Sequence, residues 1–580
     1  MIRSWQLFTK KLGFNIADHD EYIGMTENPL VHSPLWWIEL YQRIKLFPWW
    51  IKYNIGFTGE SELKDKIISL ASEMNLDGRW TKKIVRHAVS EFSKKGLGLD
   101  YYGYHNIEHE LEATYFALLS ANGNIKQSNN DNGIFTKEDV KYLFVSALFH
   151  DYDPAKHFDK PNEESIEWFL RNDPEIMKFI DIIGIDINVV IALIYRTAYP
   201  FKGRISEKAT KRIHELLSIK GNLKGDDVNG NKNNINTAVD DLKRIEHYQR
   251  LGWFLSVCER MAGYALGDFE HANKLARSNA HSLGWHPSVI NEESVKYFDT
   301  LKQEKEMLQF VLKGIPDNFR KNFYNNIESF QNLYEEEKRI RNLTRSKEIS
   351  FECRVEKIGN GNNIGKTSDL DLEVRNCVLN IYNKLPIPLK RGERHFISSL
   401  SNPDTILITL RIKKEQMSYR NNDKDSNEIG VKKPVSIAKE GNTYSNETIV
   451  GYVKGGPIEK HKLRRGTFDE NYGKKNTVYM EWICIKPGFW GSAGGHLLRM
   501  NFLLEAKKRR YDFITGYVHR NVIMKRISKG EIIQIVQKYD PDKLDYYRID
   551  LNRISIIIKT EEEKEKEEDD LDEFATALYP

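Results

Sequence analysis

From Glu60 to Leu343, apolar residues recur three and four positions apart, as in Leu111, Tyr115, Leu118 and Leu119, and again in Trp253, Leu255, Val257 and Met261. That spacing places apolar side chains on one face of an α-helix, so this part is expected to be nearly all helical. The stretch Gly221 to Asn234, rich in Asn, Gly, Asp and Lys, lacks any such period and reads as a solvated loop. Gln303 to Ser346 reads as charged helices suited to a connector. Beyond Glu348 the period shortens to two, at Ile349 to Ile358, Thr405 to Ile412, Thr448 to Val453, Val478 to Ile485, Phe513 to Val518 and Tyr546 to Ile558. Helical patterns at Leu370 to Tyr382 and Leu497 to Arg510 fall between these strands. The predicted fold class is therefore multidomain, an all-α bundle followed by an α/β domain with a mixed central sheet.

The expected divisions are an aromatic helical extension over 1–60, a helical domain over 61–302, a helical connector over 303–347, an α/β domain over 348–558 and an acidic tail over 559–580. Asn421 to Asn446 reads as a polar insertion within the α/β domain. A length of 580 residues has room for several such units. Hydrophobic residues at 40% and charged residues at 29% supply real cores and exclude general disorder. Lys plus Arg number 87 against 83 Asp plus Glu, a net +4, which removes a bulk electrostatic grip on nucleic acid. Four scattered cysteines, Cys258, Cys353, Cys377 and Cys484, suggest neither a disulfide framework nor a metal knuckle, as expected of a cytoplasmic protein. Lys10 and Lys11 leave no room for a signal-peptide apolar core, and Lys178, Asp181 and Asp186 interrupt the most apolar later stretch. The Trp-rich segment Pro34 to Ile55 reads as a buried helix pair around Pro48, with a membrane-surface helix as the alternative.

Candidate chemistry begins with His105 and His109, four apart at the start of an apolar-periodic segment and so expected on one helical face. His150-Asp151 closes the apolar run Tyr142 to Phe149, which places imidazole and carboxylate at the end of a buried helix, a setting that suits metal ligands. His19-Asp20 lies in a polar stretch and reads as surface. Tyr104-His105-Asn106-Ile107-Glu108-His109, followed by Ala147-Leu148-Phe149-His150-Asp151-Tyr152-Asp153, resembles the YHNxxH and HDxD signatures of HD-domain phosphohydrolases of the cyclic-nucleotide phosphodiesterase type. The resemblance covers roughly Ser61 to Leu301. It implies that His109, His150 and Asp151 hold a divalent metal (Zn, Fe, Mn or Mg), that His105 protonates the leaving oxygen, and that His105 and Asp151 are the catalytic pair to test. The segment Phe254 to Ala262 resembles the family helix that supplies a later aspartate, and Glu259 stands in that place, with Asp268 as the fallback ligand. Pro154 replaces the histidine that usually follows the HDxD element, and His157 is its nearest substitute. The implied substrate is a phosphomonoester, a phosphodiester or a nucleotide.

In the second half, the strand Val478 to Ile485 feeds a glycine-rich turn, Lys486 to Gly495, with a helix expected to open at His496. Backbone N–H groups and the positive end of a helix dipole make such a turn a cradle for a pyrophosphate. Together with Asp512 to Asn521 and Arg526 to Glu531, it resembles the acetyl-CoA motif of the GNAT acyltransferases, over roughly Ile349 to Leu551. The resemblance implies acetyl-CoA bound by Ile485, Gly491, Ser492, Ala493, Gly494, Gly495 and Asn521, and acetyl transfer to an amine or sensing of an acyl-CoA. Gly488 replaces the residue that usually opens the loop, and the usual tyrosine acid is missing near Lys525 and Arg526. Glu481 is either a base for an amine or an outward-facing strand residue, and Lys460, Lys462, Arg464 and Arg465 read as a solvated basic loop unless they meet phosphates. The expected whole is an HD-type phosphohydrolase fused to a GNAT-like domain; the alternative is a regulatory protein whose two pockets bind ligands without turnover.

Overall fold

The structure, a computed structural model, describes residues 59–553 except 77, 94–102, 128–134, 154–161, 200, 219–232, 359–369, 386–392, 414–446, 465, 529–530 and 541–542. The aromatic extension up to residue 58, most of the Gly221 to Asn234 loop, His157, Arg465, the Asn421 to Asn446 insertion and the acidic tail therefore lie outside the described residues. Helix α1 spans Gly59–Glu73, α2 Gly78–Ser93, α3 Ile107–Gln127, α4 Lys137–Leu148, α5 Glu163–Asn172, α6 Pro174–Ile183, α7 Ile187–Tyr195, α8 Gly203–Leu217, α9 Asn233–Leu266, α10 Phe269–Leu283, α11 Ile290–Gln303, α12 Lys305–Gly314 and α13 Asp317–Arg345.

Polar side chains set several of these boundaries by taking backbone N–H groups that the first turn leaves free. Thr136 accepts from the Asp139 N–H while Asp139 accepts from the Thr136 N–H, which opens α4. Asp173 takes the N–H groups of Glu175 and Ile176 ahead of Pro174, which opens α6. The apolar stretch around Ile176 to Tyr195 is broken at Gly184, whose left-handed backbone ends α6. No helix among the described residues is long and apolar enough to cross a membrane. Helix α9 runs along α3, and their apolar faces share a core with α4, α7 and α12 that includes Leu111, Phe116, Phe144, Phe149, Leu193, Phe254 and Met261. Where α3 meets α12, a Cβ on Gly123 would sit 1.9 Å from the Gly314 carbonyl oxygen, so the two backbones touch without side chains between them.

The second half contains β1 (Glu352–Val355), α14 (Leu372–Asn383), α15 (Glu393–Ser399), β2 (Ile406–Lys413), β3 (Glu447–Pro457), β4 (Thr477–Ile485), α16 (Gly494–Lys508), β5 (Phe513–His519), α17 (Arg520–Ser528), β6 (Ile533–Gln537) and β7 (Leu544–Asp550). The strands form one seven-stranded sheet in the order β1-β2-β3-β4-β5-β7-β6. Every neighbouring pair is antiparallel except β4 and β5, which α16 links as a crossover. One face packs on α16 through Leu410, Val453, Leu498 and Phe502, and the other on α14 and α15 through Leu407, Tyr452, Val378 and Phe396. Both faces of β2 are covered, so it is buried from Ile406 to Ile412, with Thr409 and Arg411 satisfied there by Glu356.

The short edge strand β6 has no counterpart among the expected strands, and β7 begins at Leu544, ahead of the expected Tyr546. The segment expected to connect the halves belongs to both cores. Met307, Val311, Phe323 and Phe330 are buried with the helical bundle, whereas Ile340 is buried against the sheet. All four cysteines are free, in line with the absence of a disulfide framework.

Candidate metal centre and the glycine-rich turn

Asn106 starts α3. Its side chain accepts from the His109 N–H at 3.1 Å and donates to the Gly103 carbonyl at 2.9 Å, which ties the preceding turn to the helix. His105 therefore lies in the turn before α3, off the helical face that it was expected to share with His109. It nonetheless faces the same place, with its ring centroid 5.7 Å from that of His109 and its Nε2 4.0 Å from Asp151 Oδ2. Tyr104 packs on His109 at 4.5 Å between ring centroids and is anchored through its N–H to Ser282 Oγ of α10. His150 and Asp151 come just after α4, whose last turn is buried by Leu148 and Phe149.

The four expected ligands converge. His150 Nε2 lies 3.2 Å from His109 Nε2 and 3.4 Å from Asp151 Oδ2, and His109 Nε2 lies 3.6 Å from the same oxygen. Glu259 Oε2, from α9, is 3.7 and 3.8 Å from the two imidazole nitrogens. Ligand atoms held at about 2.0–2.2 Å around one cation sit at such mutual spacings. Asp268, the fallback ligand, is elsewhere: it caps α10 by accepting from the His271 N–H at 3.0 Å.

Three observations show that the residues present fit a divalent cation. Asp151 Oδ2 is buried without a hydrogen-bond partner although it points at two imidazoles. The His150 Nδ1 N–H donates to the Ala147 carbonyl at 2.9 Å, which leaves the Nε2 lone pair facing His109 in the neutral ring. Finally, imidazole nitrogens with carboxylates are the donors that Zn, Fe and Mn accept.

Glu110 completes the arrangement and was not among the residues that sequence reasoning selected. It is wholly buried on α3; its Oε2 lies 2.9 Å from His150 Nδ1, and its Oε1 accepts from the Asp151 N–H at 3.0 Å. The Nδ1 N–H is aligned on Ala147, so Glu110 acts on the ring chiefly as a buried charge beside it, which raises its basicity. The surrounding carboxylates favour positive charge at this point, and a metal ion would take the place of the His150 Nε2 proton. Burial alone would push His150 down, but Glu110, Asp151 and Glu259 outweigh it and hold the imidazole well above its usual range. Burial opposes ionisation of Asp151 too, yet His150, His105 and His109 keep its carboxyl well below the usual range.

The glycine-rich turn of the second half is built as expected but differently placed. Helix α16 begins at Gly494, two residues before the expected His496, with Ala493 at φ 59° as its cap. Ile485 ends β4 and lies beside Gly494 and Gly495. Ser492 Oγ is buried without a hydrogen-bond partner at this helix N-terminus. The outer side of the turn rests on the helical half. The Gly488 N–H donates to Glu337 Oε1 of α13 at 3.2 Å, and a Cβ on Gly491 would meet Ser288 at 2.8 Å. Asn521 stands apart on α17, against Gly284. Glu481 does not face outward to solvent: it accepts from the buried Lys454 Nζ at 2.6 Å, with His461 Nδ1 at 3.6 Å. Of the basic cluster, Lys460 donates to Asn402 at 3.1 Å and pairs with Asp404, while the Arg464 side chain stacks over Tyr539 at 4.4 Å.

No protein-family model matches the chain, and no curated protein matches it.

Proposed function

We propose that the helical half is a metal-dependent phosphohydrolase of the HD type, acting on a phosphoester or nucleotide. The observation that carries this reading is the convergence of His109, His150, Asp151 and Glu259, drawn from three separate stretches of chain, with His105 at their edge. His109, His150, Asp151 and Glu259 would hold the cation. When bound, such a cation lowers the pKa of a water and polarises phosphoryl oxygens. His105, with its Nε2 4.0 Å from the ionised Asp151 and its side chain 14% exposed, would protonate the leaving oxygen. Tyr104 packs against the His109 ring and fixes its plane.

The test is elemental analysis of the full chain with a screen of nitrophenyl phosphomonoesters, phosphodiesters and nucleotides. His105→Ala is expected to keep its metal and lose about 10²–10⁴-fold in kcat, and His150→Ala to lose activity together with one equivalent of metal relative to the wild type. Hydrolysis unaffected by His105→Ala, or a metal content in His150→Ala equal to that of the wild type, sinks the reading.

For the second half we infer a GNAT-like fold that binds an acyl-CoA. Its support is the strand order with a single parallel pair, β4 and β5, which pair only from Thr477 to Tyr479 on β4 although β4 runs on to Ile485. Two observations favour ligand sensing over acetyl transfer to an amine. Glu481 is held in an ion pair by Lys454 and is a poor base, and the helical half already occupies the Gly488 N–H. Calorimetry with acetyl-CoA decides: binding without transfer to amines favours the sensor, and no heat removes the acyl-CoA reading.

A further inference from the structure

Helix α3 carries a second pair of ligand-type residues besides His109. Glu108 and Glu112 are four apart and share a helical face, and α10 brings His271 to it. Glu112 is 5% exposed, and its Oε2 is buried without a hydrogen-bond partner. Its Oε1 lies 2.8 Å from His271 Nε2, yet that nitrogen makes no aligned hydrogen bond. The two side chains form a close ion pair, and the buried Glu112 Oε2 is left open to a further partner. One ligand atom from each of Glu108, Glu112 and His271 lies within 4.8 Å of the others.

We propose that Glu108, Glu112 and His271 form a second divalent-cation site, separate from the His109 centre and independent of the phosphohydrolase reading. Two carboxylates and one imidazole are donors for a hard-to-borderline transition cation, of which Mn²⁺ and Zn²⁺ are the natural probes. A free carboxylate pair held this close repels itself, and a dication removes that cost. The site is built on rigid surroundings. A Cβ on Gly263 of α9 would lie 3.0 Å from Glu112 Oε2, and one on Gly267 would overlap the His271 ring at 2.3 Å, so both glycines leave the space that these side chains fill. Glu108 is exposed and forms the mouth. A cation here clips α3 to α10. Helix α10 in turn meets the sheet half, through Arg277 donating to the Lys384 carbonyl at 3.4 Å and His281 packing on His519 at 4.9 Å between centroids.

The experiment is a titration of the demetallated full chain with Mn²⁺ and with Zn²⁺, read by calorimetry and by elemental analysis after desalting. The wild type is expected to take two equivalents, His271→Ala one and His150→Ala one. One equivalent in the wild type that disappears in His271→Ala and survives in His150→Ala supports this site and fails the His109 centre alone. Two equivalents retained by His271→Ala, or a single wild-type equivalent indifferent to it, overturns the proposal, as does no binding at all. Should His271→Ala not fold by circular dichroism, Glu108→Gln at the exposed mouth decides: about tenfold weaker binding of one equivalent supports the site, and unchanged binding overturns it.

Discussion

Glu110 shows how much one buried side chain can direct. It stands next to His109 in the chain yet serves His150, because adjacent helical positions face different directions. Its Oε1 holds the Asp151 backbone and its Oε2 stands 2.9 Å from His150 Nδ1, so one group both anchors the loop and puts a charge beside the ring, whose own N–H goes to Ala147. Burial pushes the Glu110 carboxyl up, and the neighbouring His150 restrains that rise. Glu110→Gln keeps the acceptor for the Asp151 N–H and removes the charge behind the imidazole. Metal affinity measured by competition with a chelator should fall about 10–100-fold, with the fold unchanged by circular dichroism. An affinity equal to wild type would show that the carboxylate only packs.

At the scale of elements, the loop that carries His150 and Asp151 is anchored from behind by the start of α6. Asp173 caps that helix, accepts from the Tyr152 hydroxyl at 2.7 Å and lies 2.8 Å from His87 Nε2 of α2. Although burial would raise it, those hydrogen bonds hold its carboxyl down at about 2. The sign follows directly. The folded value lies below the ordinary 3.8, so the stability it contributes is present above that value and is lost as the pH falls towards 2. Asp173→Ala removes the cap and both side-chain partners at once, and should cost about 1–3 kcal/mol in urea unfolding at neutral pH. Because Tyr152 follows Asp151, the same variant should also loosen the metal centre, visible as weaker metal retention. A variant as stable as wild type would remove this anchoring role.

At the scale of the whole molecule, α13 joins the two cores and carries Glu337 to the seam between them. Its carboxylate is buried, accepts from Asn291 Nδ2 at 2.7 Å and from the Gly488 N–H, and has Oε2 without a hydrogen-bond partner. Burial pushes this carboxyl from an ordinary 4.5 up to about 8, against the pull of Gly488, Asn291 and Arg341. The folded chain therefore keeps a proton that the unfolded chain releases, so stability falls as the pH rises from about 4.5 to about 8 and then levels off. The loss is up to about 1.4 kcal/mol per pH unit within that window. Glu337→Gln should flatten this slope in thermal or urea midpoints taken across the window. An identical slope in the variant would place the pH dependence elsewhere.

Much of this was legible from residue order alone. Apolar spacing separated the helical half from the sheet half because the periods of 3.6 and 2 are properties of the backbone, whatever packs against it. His109, His150 and Asp151 stood out because each sits where an apolar run starts or stops, and a buried helix end leaves few other uses for such groups. Glu110 and Glu337 did not stand out. One follows a histidine in a helix start, and the other hides in the run Glu335-Glu336-Glu337-Lys338, where only packing decides which carboxylate turns inward. Edge strand β6 is five residues long with mixed burial, too short for alternation to register. Asp268 stood as the fallback to Glu259 until α9 was folded beside α3, which brought Glu259 to His109 and left Asp268 to cap the next helix. Local order thus determined the elements and their caps, because those depend on neighbours in the chain. Tertiary structure alone decided which charges meet across more than a hundred residues, because that depends on how rigid helices cross and on which groups lose their water together.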